Sequence, residues 1–380
     1  MRPSAETFYE IRVRGLLGPA TLNAFSALAS GRRDGDTVLS GALPDQAALC
    51  GVLHQIESLG LDLIAVRRQS EERSMPPQLD GIHHITAITA DARRNFDFYA
   101  RVLGLRLVAR SVNQDDPSVY HLVYGDELAR PGSHLTFFEQ PRAQPGRVGA
   151  GMVHRIAWRV ASASGLDFWQ RRLTDEASPN DRSNGSLRFV DPDGLAHELA
   201  VDDSGDQPLI AEHPEVPTEH AIAGIAGVHA FVPDPVATAG WIEGMLGAEP
   251  RPQSRWELRG AYRGGWVELH EGSSDRGHPG AGTIHHVAWT TTDAEQGQWL
   301  ARLNDAGVPN SGIIDRYAFQ SLYFRVPGGV LFELATEEPG FTIDTPVEEL
   351  GRHVILPPWL EPRRSEIEAR LTPLADSRAQ

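Results

Sequence analysis

The chain has 380 residues, 41% hydrophobic and 23% charged, the composition of a globular protein with enough length for about two to four structural units. Its formal net charge of −16 sets it against nucleic-acid and anionic-membrane surfaces by repulsion. Cys50 is the single cysteine, which excludes an intramolecular disulfide and a cysteine-built metal site.

The opening stretch, MRPSAETFYEIRVRG, lacks the apolar core of a signal peptide, and no run approaches the roughly 20 apolar residues of a membrane span. A reducing cytoplasm is the expected location. Residues 1–70 read as a small βαβαβ unit. TFYEIRVRG, DTVLSGAL and LDLIAVRR alternate as strands, with PATLNAFSALA and DQAALCGVLHQIESLG as the helices between them. Asp45 is placed to cap the second helix and Gly60 to end it. Cys50 lies in the apolar run AALCGVL and is expected to be buried. Residues 71–80 are polar and proline-bearing, the composition of a linker.

From residue 81 the chain repeats itself. GIHHITAIT at 81, GMVHRIAWRV at 151, GIAGVHAFVPD at 224 and GTIHHVAWTTTD at 282 each open a strand, followed by a helical stretch and about three more strands. A βαβββ module of this kind is half of a curved sheet and buries its core only against another module. The expected fold is therefore α+β: four βαβββ modules forming two pseudo-symmetric half-barrel pairs behind a small α/β domain. The first and second modules span 81–223 and the third and fourth 224–340. Residues 341–380 read as a tail with a short solvated helix over the barrel edge.

The four openings localise a site. Read in line, the first histidine recurs as His83, His154, His229 and His285, while the second position runs His84, Arg155, Ala230 and His286. A feature shared by every module reflects architecture, and one kept by two modules reflects a local task. His84 and His286 are thus the candidate ligands. Neighbouring side chains on a strand point to opposite faces, which sets His83 and His285 apart as supporting groups. The last strand of a module lies beside its first, and in the fourth module it carries Glu333, within GGVLFELA. A carboxylate there is costly unless paired or metal-bound. The matching Glu198 of the second module faces Arg155, an expected salt bridge, and Glu268 of the third is expected to face Ala230. Two imidazoles and one carboxylate form the facial triad of non-haem Fe(II), with open positions for substrate and dioxygen, and zinc accepts the same donors. If His84 and His286 share one ion, the first module pairs with the fourth and the second with the third.

In combination, GIHHITAIT, YHLVYGDELARPGSHLTFFEQP, GTIHHVAW, DRYAFQSLYFRVPGGVLFELAT and LPPWLEPRRSEIE resemble the vicinal oxygen chelate superfamily. Within it the resemblance is to ring-cleaving dioxygenases of para-hydroquinones, and it covers residues 81 to about 365. It implies metal ligands at His84, His286 and Glu333, Fe(II) as cofactor with Mn(II) as a substitute, and extradiol-type cleavage of a small aromatic substrate by dioxygen. It also implies roles beside the metal for His83, Thr86, His285, Arg316 and Tyr323. His285 and His83 are suited to proton transfer, Tyr323 and Arg316 to hydrogen bonding a developing anionic oxygen. A homo-oligomer is compatible with this reading; nucleic acid and membrane are not expected partners. Glu139, in TFFEQP, stands where similar enzymes carry proline, and its place beside Phe138 is expected to turn it to solvent. Two other readings fit the residues. One is a glyoxalase-like isomerase or lyase, which wants a fourth ligand and makes Glu139 the residue to watch. The other is a non-catalytic protein that sequesters a small aromatic compound.

Overall fold

The computed structural model describes residues 7–25, 28–33, 36–69, 77–114, 116–272 and 275–374. Its N-terminal unit has four antiparallel strands where three were expected: β1 (Thr7–Val13), β2 (Ala29–Arg33), β3 (Asp36–Leu43) and β4 (Leu63–Gln69), in the order β2-β3-β1-β4. With α1 (Pro19–Leu22) after β1 and α2 (Gln46–Ser58) after β3, the chain order is βαββαβ, the split βαβ arrangement. The extra strand begins at Ala29, read above as the end of a helix, because the chain turns back there to pair with β3. Asp45 caps α2 as expected, accepting from the Ala48 N–H at 2.8 Å. Cys50 is exposed rather than buried. At about 100° per residue it lies roughly a third of a turn away from Ile56, the α2 residue that enters the core of Ile11, Val13, Leu39 and Leu43. Most of the expected linker, residues 71–76, lies outside the described residues.

The four modules follow. The first comprises β5 (Ile82–Thr89), α3 (Ala92–Phe96), β6 (Arg106–Asn113), β7 (Asp116–Gly125) and β8 (His134–Glu139). The second comprises β9 (Met152–Val160), α4 (Ala163–Asp175), β10 (Asn180–Ser183), β11 (Ser186–Val190) and β12 (Ala196–Val201). The third comprises β13 (Ile225–Val232), α5 (Pro235–Leu246), β14 (Glu249–Arg251), β15 (Arg255–Arg259) and β16 (Gly264–Glu271). The fourth comprises β17 (Ile284–Thr291), α6 (Asp293–Asp305), β18 (Asn310–Asp315), β19 (Gln320–Arg325) and β20 (Leu331–Thr336). The first and fourth modules share one eight-stranded sheet, β18-β19-β20-β17-β5-β8-β7-β6; the second and third share another, β10-β11-β12-β9-β13-β16-β15-β14. This is the pairing the shared ion requires. A buried polar relay ties the first module to the second. Trp158 Nε1–H donates to His197 Nδ1 at 3.0 Å, His197 Nε2 lies 2.9 Å from the Tyr99 hydroxyl, and that hydroxyl donates to Asp191 at 2.9 Å.

Each junction between paired modules carries two β-bulges. Ala288 pairs with His84 but Trp289 with Ile82, and His286 pairs with Thr86 but Ile284 with Ala87, which leaves His83 and His285 as the extra residues. In the second sheet Ala226 and His154 are skipped in the same way. This register corrects the line-up of the openings. Gly227 precedes the N-cap Asp234 by the same interval as His84 precedes the N-cap Asp91, so Gly227 occupies the place of His84. His229 then matches Thr86 rather than His83, and Glu268 lies opposite His229, not Ala230.

After β20 the chain crosses back over the first module. The Ile355 N–H donates to Arg110 O at 2.8 Å, and Leu350 is buried among Val108, Ala109 and Val123. Gly351 permits the approach: its φ is 75° and a Cβ there would meet Leu107 O at 1.8 Å. The short helix α7 (Arg364–Glu368) is not fully solvated, because Ile367 is 1% exposed and joins the main core. Among the described residues, no helix is long and apolar enough to cross a membrane.

Candidate metal centre and substrate pocket

Three strands converge on Ala288. Glu333 on β20 lies opposite it on one side and His84 on β5 opposite it on the other. His286, two residues earlier on β17, shares its face. His84, His286 and Glu333 are all buried, and their donor atoms meet. His84 Nε2 lies 3.2 Å from His286 Nε2 and 3.3 Å from Glu333 Oε2, and His286 Nε2 lies 2.9 Å from the same oxygen. The other carboxylate oxygen, Oε1, accepts from the Ser321 hydroxyl at 2.5 Å. Glu333 Oε2 is buried without a hydrogen-bond partner. Burial acts to raise this carboxyl, and the two imidazoles overcome it, holding the group well below the usual carboxylate range. A carboxylate and two ring nitrogens directed at one point fit a divalent cation.

The histidine doublets differ from the expectation of opposite faces. His83 Nδ1 is 2.9 Å from His84 Nδ1, and His285 Nδ1 is 2.7 Å from His286 Nδ1. Both the His83 and His84 rings lie 5.2 Å from the Phe319 ring. The bulges at His83 and His285 produce this, since an extra residue re-aims the side chains around it. An ion held by the two Nε2 atoms would leave the protons of His84 and His286 on Nδ1, facing His83 and His285. His83 is buried, which pushes its pKa well below the ordinary histidine range and leaves a neutral acceptor. That suits it to orienting His84 more than to carrying protons. His285 is exposed.

A cavity opens in front of His84 and His286, with Glu333 behind them. Thr86, Arg316 and Tyr323 line it with His84 and His286. Thr86 Oγ1 lies 2.8 Å from Thr136 Oγ1, which lies 2.9 Å from His121 Nε2. His121, also in the wall, was not singled out from the sequence, although it sits in the quoted YHLVYGD. Burial first, then His84, His286 and Arg316, push its pKa down to about 3, so it is neutral. The Tyr323 ring is 5.5 Å from that of His286, and the Arg316 guanidinium stands 5.7 Å from the Tyr323 ring. Burial and then Glu333 raise the Tyr323 phenol far above its ordinary value, so it remains a hydrogen-bond donor. The tail supplies much of the apolar wall through Phe341, Ile343, Ile355 and Pro357, facing Phe138 and Phe319. No local spacing in the sequence could reveal this contribution.

Glu139 is buried rather than turned to solvent, and its Oε2 accepts from the Tyr120 N–H at 3.2 Å. It pairs with Thr89, whereas His84 pairs with His134. Five residues of strand separate the two levels, roughly 16 Å, so Glu139 does not provide a fourth ligand. The expected Arg155–Glu198 salt bridge is present at 3.2 Å.

Residues 81–199 and 222–334 match the Glyoxalase/Bleomycin resistance protein/Dioxygenase superfamily. The chain belongs to this superfamily. Residues 8–67 match a separate domain of unknown function, DUF8691. The chain is 38% identical over 314 residues to a Bacillus subtilis (strain 168) protein named ring-cleaving dioxygenase MhqA, covering 78% of this chain and 99% of the relative. It is 30% identical over 311 residues to the chlorohydroquinone/hydroquinone 1,2-dioxygenase of Sphingobium indicum, covering 77% and 96%. A crystal structure described as a dioxygenase from Bacillus subtilis subsp. subtilis str. 168 superposes with a TM-score of 0.74 at 36% identity, over 79% of this chain and 98% of that one. Glyoxalase I from Zea mays, at 16% identity and a TM-score of 0.51 over 72% of this chain and 97% of that one, shares the fold alone. Within the superfamily these relatives place the chain among the oxygenases.

Proposed function

We propose that the chain is an Fe(II)-dependent dioxygenase that opens a hydroquinone-type ring beside a hydroxyl-bearing carbon, in the extradiol manner. The observation that carries this reading is the buried His84, His286 and Glu333 trio, whose two histidines line a largely apolar cavity. An Fe(II) ion held there would supply open coordination positions at which a phenolate oxygen and dioxygen can meet and exchange electrons. The protein's own groups do the rest. Glu333 offsets one unit of cation charge, while Ser321 holds its other oxygen. His83 and His285 fix the tautomer of the two ligand imidazoles by accepting from Nδ1. The Tyr323 hydroxyl and Arg316 guanidinium are donors for an oxygen that gains negative charge during the reaction. The Thr86, Thr136 and His121 series gives the wall two hydroxyls joined by hydrogen bonds to a ring nitrogen. Phe319, Phe341 and Ile343 give a planar ring apolar faces to lie against and exclude water.

The test is anaerobic loading with Fe(II), followed by oxygen uptake on hydroquinone, chlorohydroquinone and catechol. One dioxygen consumed per ring lost is the expected result. Bound iron with no uptake on any substituted ring would remove the dioxygenase reading.

A further inference from the structure

The second sheet pair carries a cluster of donors of its own, on positions different from those of the first centre. Gly227 replaces His84, and a Cβ there would lie 2.1 Å from the Trp266 ring, so an indole fills the space of that ligand. The donors appear one step further along the sheet. His229 stands in the place of Thr86, while Glu268 and His270, alternate residues of β16, stand in those of Thr136 and Phe138.

We propose that His229, His270 and Glu268 form a second divalent-cation site, of the zinc class that takes two imidazoles and one carboxylate. His229 Nδ1 lies 3.2 Å from His270 Nε2 and 3.5 Å from Glu268 Oε2, and His270 Nε2 lies 3.2 Å from Glu268 Oε1. These separations approach the 2.9 to 3.3 Å of the first centre, although here the two imidazoles face different oxygens of the carboxylate. The surroundings orient the donors. Glu198 Oε2 lies 3.3 Å from His229 Nε2, which favours the proton on that nitrogen and leaves the Nδ1 lone pair for an ion. Arg255 donates to Glu268 Oε2 at 2.8 Å while stacking on Trp266, holding the carboxylate with Oε1 turned to His270.

Glu198 and Glu268 bring two negative charges to the cluster. Arg155, Arg188 and Arg255, 20%, 40% and 28% exposed, also reach these carboxylates, so an ion here binds in competition with three ion pairs. His229 is buried and His270 is half-buried, which leaves a path from solvent. The alternative is an imidazolium at His229 bridging the two carboxylates with no ion.

The experiment uses the full chain, stripped with chelator, loaded with Zn(II) or Co(II), desalted, and analysed for metal per chain and for Co(II) visible absorption. Wild type is expected to hold two ions, and His270→Ala and Glu333→Gln one each, with different Co(II) spectra. The double variant is expected to hold none, and His270→Ala loaded instead with Fe(II) to match the oxygen uptake of Fe(II)-loaded wild type. A wild-type content of one ion, retained in His270→Ala and lost in Glu333→Gln, overturns the proposal. His270→Gln, checked for an unaltered melting temperature, guards against loss of metal through misfolding and must give the same single ion.

Discussion

Replacing Glu333 with glutamine separates the pairing of a buried carboxylate with its imidazoles from the gain of holding an ion. Glu333 is 0% exposed, and His84 and His286 more than offset the burial of its charge. The glutamine amide is neutral and recovers only part of this by donating an N–H to a ring nitrogen. The metal-free variant should therefore be less stable than the metal-free parent by about 1–3 kcal/mol. With ion at about 1,000 times its dissociation constant, the parent gains about 4 kcal/mol. At about 2–4 °C per kcal/mol, this raises its melting temperature by roughly 8–16 °C. If loss of the charged donor weakens binding about 100-fold, the same ion concentration gives the variant only about 1.4 kcal/mol. Thermal melts with and without metal, in a His270→Ala background that silences the second cluster, measure both quantities. A metal-free variant that melts above its parent, or a variant that keeps the full metal-induced shift, would refute the reasoning.

Tyr323→Phe should lower the rate of oxygen uptake by on the order of 10²-fold with iron content unchanged, because one donor to the developing anion is lost. Phe341→Ala removes an apolar wall worth about 2 kcal/mol and should raise KM roughly 10- to 30-fold, with the ion retained, in steady-state assays. Gly227→Ala forces a methyl group against Trp266 and should destabilise the protein by about 1–3 kcal/mol or more in denaturant unfolding, while the first centre still loads. Asp206→Asn probes pH dependence. Burial acts to raise the Asp206 carboxyl, but Arg259, the Gly264 N–H and Arg159 overcome it and hold it at about 2. A folded pKa below the unfolded value of about 4 stabilises fully above that value and less as pH falls toward 2. Wild type should thus exceed Asp206→Asn at pH 6, and the two stabilities should converge near pH 2 in acid unfolding curves.

The elements of the large unit were legible because alternation and repetition survive in one dimension. Four similar openings announce four modules, and two doublets in the outer modules require the first to meet the last. The apolar context of Glu333 marked a carboxylate that needed a partner, and the strands bring it to His84 and His286. The N-terminal unit was read less fully. Residues 29–33 alternate too briefly to distinguish a strand from the end of a helix, and pairing with β3 decides the matter. Cys50 followed its apolar neighbours in the sequence, yet the helix phase set by Ile56 places it outside.

By itself, then, the sequence determined the number of modules, their pairing and the residue types gathered at one centre, since periodicity and composition carry that information. Register belonged to the tertiary structure. A bulge adds one residue without altering composition, so the doublets looked like opposed side chains until the skipped positions at His83 and His285 turned their rings together. The same shift moved His229 out of line with His83 and into contact with Glu198 and Glu268. The buried place of Glu139, the place of His121 in the cavity and the wall built by the tail depend on strands and segments far apart in the chain. Only their contact in three dimensions decided them.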